Sequence, residues 1–364
     1  MENYGFIKVA SASPIIRVAN PYYNVREIEK LIFEADSKNA AIVVFPELCI
    51  TGYSCGDLFF QKQLLLKAQE GLDYLLKQTK DLNILAIVGL PFSVSDKLYN
   101  CAAVLHRGKL LGIVPKIFLP DYKGLDEKRW FVSGSEICND LYEIKFIDHT
   151  VPFGKLLFRN DQYDITMGVE IAEDLCSIIP PSSYLALRGA NIIANPSASS
   201  ESVGKAQYRK KLVEQQSARC NCGYIYAEAG VFESTTDMVF GGHCLIAENG
   251  VILKESERFQ RKSSIIYSEI DIERLAHERR SNLNLSGDYK YDLDKKYRII
   301  EFNFIKNFVI SSNNLERNIE QHPFIPSDPF TRNECCKEIF HIQTASLAKR
   351  LEHTGSRKAV IGIS

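Results

Sequence analysis

The 364-residue chain has no apolar run approaching the roughly 20 residues a bilayer-spanning helix needs. Its opening, Met1-Glu2-Asn3-Tyr4-Gly5, has neither a basic segment nor an apolar stretch, so no secretory leader is read there. An excess of charge of one sign is missing as well. Lys and Arg number 44 against 45 Asp and Glu, for a net charge of −1, which argues against nucleic-acid binding through a basic surface. The ten cysteines form no C-x-x-C pair, and no histidines are spaced beside them as zinc ligands. Most sit in apolar company, as in His243-Cys244-Leu245-Ile246, and are expected to be buried free thiols in a reducing cytoplasm. Gly241-Gly242 does not fit G-x-G-x-x-G, so no dinucleotide fingerprint is claimed. These absences predict a cytoplasmic protein without nucleic-acid or membrane partners. What is present, 45% hydrophobic and 24% charged residues, is the balance of a globular fold.

Strand-like and helix-like patterns alternate over the first two thirds. Phe6–Ala10 reads as a strand. Val25, Ile28, Leu31, Ile32 and Ala35 then recur at helical spacing, with Asn24 placed to cap and Asn39 to stop. Ala40–Phe45 and Ile84–Val88 are continuous apolar runs expected of central strands, with a helix between them from about Leu58 to Lys80. Hairpins are predicted around Arg107-Gly108 and Asn249-Gly250. Asp164–Val169, Asn191–Ala194 and Tyr224–Ala227 read as strands, and Pro181–Arg188 and Lys205–Arg219 as helices. The pattern predicts an α/β sandwich with mixed pairing. Beyond about residue 275 the chain turns polar. Tyr297–Phe304 could add a strand, 313–328 looks like a linker, a helix begins near Asn333, and Ala359–Ser364 reads as a buried strand at the chain's end.

Three strand ends carry charge. Ala40–Phe45 runs into Pro46-Glu47, Leu110–Val114 into Pro115-Lys116, and Asp164–Val169 into Glu170-Ile171-Ala172-Glu173-Asp174. Ligands of α/β sheets gather beyond the carboxyl ends of strands. Each proline fixes φ and stiffens the exit that orients the next side chain.

The words around these ends are distinctive. Phe45-Pro46-Glu47-Leu48-Cys49-Ile50-Thr51-Gly52-Tyr53 resembles the glutamate motif of the nitrilase (carbon–nitrogen hydrolase) superfamily, and Pro115-Lys116-Ile117-Phe118-Leu119-Pro120-Asp121-Tyr122 its lysine motif. Gly168-Val169-Glu170-Ile171-Ala172-Glu173-Asp174-Leu175 resembles the cysteine motif with Ala in place of the cysteine. Asn195-Pro196-Ser197-Ala198-Ser199, Gly204-Lys205, Tyr208-Arg209 and Ser234-Thr235-Thr236-Asp237 resemble the glutaminase part of glutamine-dependent NAD synthetases. His322-Pro323-Phe324, the Cys336–Arg350 helix and Val360–Ser364 look like the entry to an ATP-pyrophosphatase synthetase domain.

The resemblance implies a nitrilase-type αββα four-layer sandwich over residues 1–275, a connecting arm over 276–330, and the start of a synthetase domain over 331–364. It implies hydrolysis of L-glutamine, with Glu47 as general base, Lys116 facing the oxyanion, and Ala172 at the place of the nucleophile. Glu127 would hold Lys116, the alternative being a surface charge beside Asp126, Lys128 and Arg129. Tyr122, Glu173, Ser199 and Lys205 would recognise glutamine, although Lys205 stands where some relatives have Arg, and Leu125 and Asp126 depart from the family pattern. No cofactor or metal is implied for this step. ATP, Mg²⁺ and deamido-NAD belong to the synthetase reaction, for which Ser364 would open the nucleotide loop. A homo-oligomer is implied too. Since a methyl group cannot attack, the chain is expected to be inactive, through either an engineered replacement or a natural pseudo-glutaminase. A stand-alone amidase is the competing enzyme reading, and a non-catalytic subunit the competing non-enzyme one. Cys176 is expected to be a buried structural thiol and His243 a satisfied core or loop histidine.

Overall fold

The computed structural model describes residues 4–122, 125–137, 142–236, 238–281, 297–305, 307–308, 315–319, 321–322 and 324–362. Its strands run in chain order Phe6–Ser13 (β1), Ile42–Val44 (β2), Leu85–Val94 (β3), Lys97–His106 (β4), Lys109–Pro115 (β5), Tyr142–Phe146 (β6) and His149–Phe153 (β7). There follow Leu156–Asn160 (β8), Ile165–Val169 (β9), Ile192–Ser197 (β10), Gly223–Glu228 (β11), Leu245–Glu248 (β12) and Val251–Glu255 (β13). Ser264–Asp271 (β14) and Arg298–Glu301 (β15) complete two sheets. The first has the order β14-β1-β2-β3-β4-β5-β7-β6, the second β13-β12-β11-β10-β9-β8-β15. Both mix parallel and antiparallel pairs. β1 lies parallel to β2 and antiparallel to β14, and β10 is parallel to both β9 and β11.

Residue alternation explains the layering, since successive side chains of a strand face opposite ways. Ile42 and Val44 of β2, and Leu85 and Ile87 of β3, join Met167, Val169, Ile192, Ala194 and Ile225 in a core between the sheets. Val43, Ala86 and Val88 face outward onto Pro21–Ser37 (α1) and Lys62–Gln78 (α2). The outer face of the second sheet packs Ile193, Tyr224 and Leu245 with residues of Pro181–Leu187 (α3) and Lys205–Cys220 (α4). The result is the four-layer α/β sandwich with mixed sheets.

Several local expectations change. Asn20, not Asn24, caps α1, its side chain accepting from Tyr23 N–H. Asn24 lies inside the helix and is buried, donating to the Arg17 and Ile50 carbonyls. The helix expected from Leu58 is split, because Tyr53–Phe60 is a 3-10 stretch kinked at Gly56. The β3–β4 hairpin turns at Ser95 and Asp96, both at positive φ, without the glycine that would have announced it. Ile272–Ser281 (α5) crosses residue 275, whereas the strand expected within Tyr297–Phe304 is present as β15 and pairs with β8.

The chain divides into two units, Met1–Arg317 and Asn318–Ser364. In the second, Pro329–Thr354 (α6) is a helix capped by the Asp328 carboxylate and ended by Gly355 at φ 63°. Residues 359–362 form no strand, and Ser364 lies outside the described residues. Among the described residues no helix is long and apolar enough to cross a membrane.

Candidate active site

Glu47 sits three residues past β2, in a turn that passes directly over β3. Leu48 takes φ 50° there. A Cβ at Gly89 would come within 2.2 Å of Leu48 N and 2.6 Å of the Pro46 carbonyl, so the glycine is what lets the turn approach the strand. The turn is also tied to the second sheet, Glu47 N–H donating to the Ser197 carbonyl at 3.4 Å. Lys116 follows β5 directly and is held by two backbone bonds, its N–H to Asn100 O at 2.8 Å and its carbonyl to Gly134 N–H at 2.7 Å. Gly134 has the same purpose as Gly89: a Cβ there would lie 2.9 Å from the Lys116 carbonyl.

The side chains meet in the interior. Lys116 Nζ donates at 2.6 Å to Glu47 Oε1 and at 2.6 Å to Glu127 Oε1. Each of the three residues is 1% exposed, so Glu127 is no surface charge. Asn100 donates to Glu47 Oε1 at 2.6 Å and to Glu127 Oε2 at 3.3 Å, and the Tyr53 hydroxyl donates to Glu127 Oε1 at 2.9 Å. Burial pushes the Glu47 carboxyl up to about 8, although Lys116 pulls it down. Burial works against the Lys116 charge, but Glu127 and Glu47 outweigh it and hold the ammonium above its usual range. One cation thus faces two carboxyl groups, and one of these is poised near neutrality.

The third strand end joins the same place. Asp174 Oδ1 accepts from Ile117 N–H at 3.1 Å and Phe118 N–H at 2.7 Å, while its Oδ2 accepts from Ile171 N–H at 2.9 Å. One carboxylate therefore clips the residues after Lys116 to those before Ala172. Burial pushes Asp174 up to about 7, against the pull of the Phe118 and Ile171 N–H groups. Ala172 is 6% exposed and adopts φ 46°, a region L residues rarely enter. Its N–H donates to Asn195 Oδ1 at 2.8 Å. All three strand ends are thereby linked through Asp174, Ser197 and Asn195.

The arrangement has a chemical direction. Glu47 Oε1 is anchored by Lys116 and Asn100, whereas Oε2 is buried with no hydrogen-bond partner among the described residues. A carboxylate with one oxygen fixed and the other open can exchange a proton. Lys116 spends two of an ammonium's three protons on the carboxylates.

Around this core, Ser199 is 8% exposed just past β10, while Glu173 and Lys205 are half-buried. Tyr122 lies in a two-residue strand, Asp121–Tyr122. Arg209 of α4 braces the segment between Ser199 and Lys205, its guanidinium donating to Glu201 Oε1 at 3.1 Å and to His243 Nδ1 at 2.9 Å. His243 Nε2 lies 2.8 Å from Glu255 Oε1, so this buried histidine is fully engaged. Cys176 is exposed, contrary to the buried thiol expected; the 3-10 turn Ala172–Cys176 leaves it on the outside. Cys49, Cys55, Cys101, Cys220, Cys222 and Cys244 are buried and free, Cys335 is half-buried and Cys336 exposed, and Cys138 lies outside the described residues. No group of three or more possible metal ligands occurs among the described residues.

Sequence reading missed Asn100, Asn195 and Asp174 as members of this site, and Gly89 and Gly134 as its supports. Signals existed: Asn100 is a polar residue inside the apolar run Leu98–Leu105, and Gly89 interrupts another.

Comparison with known proteins places this geometry in context. Residues 8–280 match the family model for carbon-nitrogen hydrolases. A glutamine-dependent NAD(+) synthetase of Mycobacterium bovis is 35% identical over 365 residues, covering 99% of this chain and 53% of that protein. The chain thus spans about half the length of the relatives it matches. The crystal structure of a glutamine-dependent NAD(+) synthetase from Cytophaga hutchinsonii superposes with a TM-score of 0.66 at 30% identity, over 73% of this chain and 43% of that one. An amidase from Nesterenkonia sp. shares the fold, with a TM-score of 0.59 at 17% identity over 77% of this chain and 97% of its own. On the strength of a family match running from β1 through α5, the chain belongs to the carbon-nitrogen hydrolases.

Proposed function

We propose that this chain carries the glutamine-hydrolysing site of a glutamine-dependent NAD synthetase, with alanine at the nucleophile's position. The observation that carries this reading is Lys116 Nζ held at 2.6 Å by two buried carboxylates, with Asp174 tying the residues after Lys116 to the strained turn at Ala172. With a thiol at position 172, Glu47 Oε2 would take the S–H proton as sulfur attacks the amide carbon. Lys116 would stabilise the tetrahedral oxyanion while Glu127 holds the ammonium in place. Collapse to a thioester would release ammonia, with Glu47 returning its proton to the leaving nitrogen. Glu47 would then activate the water that frees glutamate. Tyr122, Glu173, Ser199 and Lys205 would bind the α-amino and α-carboxylate groups that separate glutamine from a simple amide.

Relatives about twice this length are named as NAD(+) synthetases, which supports the further proposal that the ammonia serves an ATP- and Mg²⁺-dependent amidation of deamido-NAD. The chain as it stands binds glutamine without turning it over, because a methyl group cannot be deprotonated. Ala172→Cys should restore glutamine hydrolysis, measured as glutamate and ammonia released. A variant that prefers propionamide to glutamine would favour the stand-alone amidase reading, and one that binds glutamine but never hydrolyses it would overturn the proposed site.

A further inference from the structure

Beyond Glu47, Lys116 and Glu127, a second buried polar assembly bonds to the backbone of residue 172. The N–H of Ala172 donates to Asn195 Oδ1 at 2.8 Å. Asn195 Nδ2 donates to the Tyr224 hydroxyl at 2.8 Å, and that hydroxyl donates to Glu170 Oε1. Glu170 Oε2 accepts from Ser182 N–H at 2.8 Å, at the start of α3. Asn195 and Tyr224 are fully buried and Glu170 is 1% exposed. The chain of bonds crosses β10, β11, the end of β9 and α3, so four elements fix it.

Its polarity is set at one end. The backbone N–H of Ala172 can only donate, so Asn195 turns its Oδ1 toward it and its Nδ2 toward the Tyr224 hydroxyl, whose proton then points to Glu170. A flipped amide would set two donors against each other and leave the N–H of residue 172 without an acceptor. That residue sits at φ 46°, where backbone geometry persists only if its surroundings enforce it.

We propose that Asn195, Tyr224 and Glu170 form a polarised strut that holds residue 172 in the attack geometry, making them positioning residues for the nucleophile. The proposal deepens the glutaminase reading and rests on it for the substrate. The hydrogen bonds of the strut run through neither the Glu47 nor the Lys116 side chain. Its loss should therefore slow attack without changing how glutamine is held.

The test is made in the Ala172→Cys background of the full chain, with Tyr224→Phe added. This removes one oxygen and leaves Asn195 Nδ2 without its acceptor in the strut. The expected result is a fall in kcat for glutamine of at least about tenfold with KM within twofold. Alkylation of the introduced thiol by iodoacetamide, read at position 172 by peptide mass spectrometry, should slow in parallel. A kcat and an alkylation rate both within twofold of the background would overturn the strut, as would a rise in KM with kcat unchanged. If Tyr224→Phe does not fold, Asn195→Ala replaces it, with the same results supporting or overturning the strut. Failure of the Ala172→Cys protein to hydrolyse glutamine would sink the substrate reading alone, because the alkylation arm uses no glutamine and still judges the strut.

Discussion

Replacing Glu47 by glutamine would show whether its carboxyl is protonated near neutrality in the folded state. Burial pushes that carboxyl from an ordinary 4.5 up to about 8, with Lys116 opposing. An acid whose pKa is higher folded than unfolded binds more protons in the folded state at every pH between the two values. Stability therefore falls as pH rises through that window, by about 1.4 kcal/mol per pH unit for one full proton. From about pH 6 to about pH 7.5 the contribution of Glu47 is on the order of 2 kcal/mol. Glutamine cannot titrate, so the stability of Glu47→Gln relative to the parent should improve by that amount over the same interval. The fixed cost of losing a charge partner for Lys116 cancels, because only the change between the two pH values is read. Asp174 and Glu228, pushed up to about 7 and about 8 by burial, tilt both proteins alike. Urea unfolding of both proteins at both pH values supplies the four free energies needed. A stability difference that stays constant, or moves in favour of the parent, refutes the picture of a carboxyl held near neutrality.

Lys116→Met should destabilise the chain by about 3–5 kcal/mol, since two buried carboxyl groups would lose their shared cation; urea unfolding reads this. In the Ala172→Cys background the same change should reduce glutamine turnover by on the order of 10² or more. Gly89→Ala should cost about 3 kcal/mol and abolish glutamine binding, because the added carbon meets backbone atoms of the Glu47 turn that cannot step aside; calorimetric titration with glutamine checks the second effect. Lys205→Met, also in the Ala172→Cys background, should raise KM for glutamine roughly tenfold or more and leave that for a simple amide unchanged.

The strands that could be read in the sequence were those whose pattern is local. The buried runs at Ile42–Val44 and Leu85–Val88 stand out as continuous β-branched and aliphatic stretches, and the Arg107-Gly108 and Asn249-Gly250 turns announce their own hairpins. Ser264–Asp271 went unread although its partner was found. Its pairing with β1 depends on residues far away in the chain, and its segment Ser268-Glu269 is polar. Glu269 is tolerated there because Lys8 lies 3.3 Å away and the backbone N–H groups of Glu316 and Arg317 bond to it, none of which spacing can reveal. The site divides in the same way. Charges placed after prolines could be picked out one by one. Asn100, Asn195 and Asp174 could not, because their roles consist of bonds made across the two sheets.

The pairing of β1 also bears on how the chain is made. Phe6–Ser13 leaves the ribosome before Ile42–Val44, which soon covers one of its edges. Its other edge waits for Ser264–Asp271, about 250 residues later. At roughly 5–20 residues per second, that is on the order of 12 to 50 seconds with a buried-type strand open to any partner. Synthesis rate and chaperone supply, more than the stability of the finished sandwich, should therefore govern how much of this chain is recovered folded, and any fragment ending before residue 264 should aggregate.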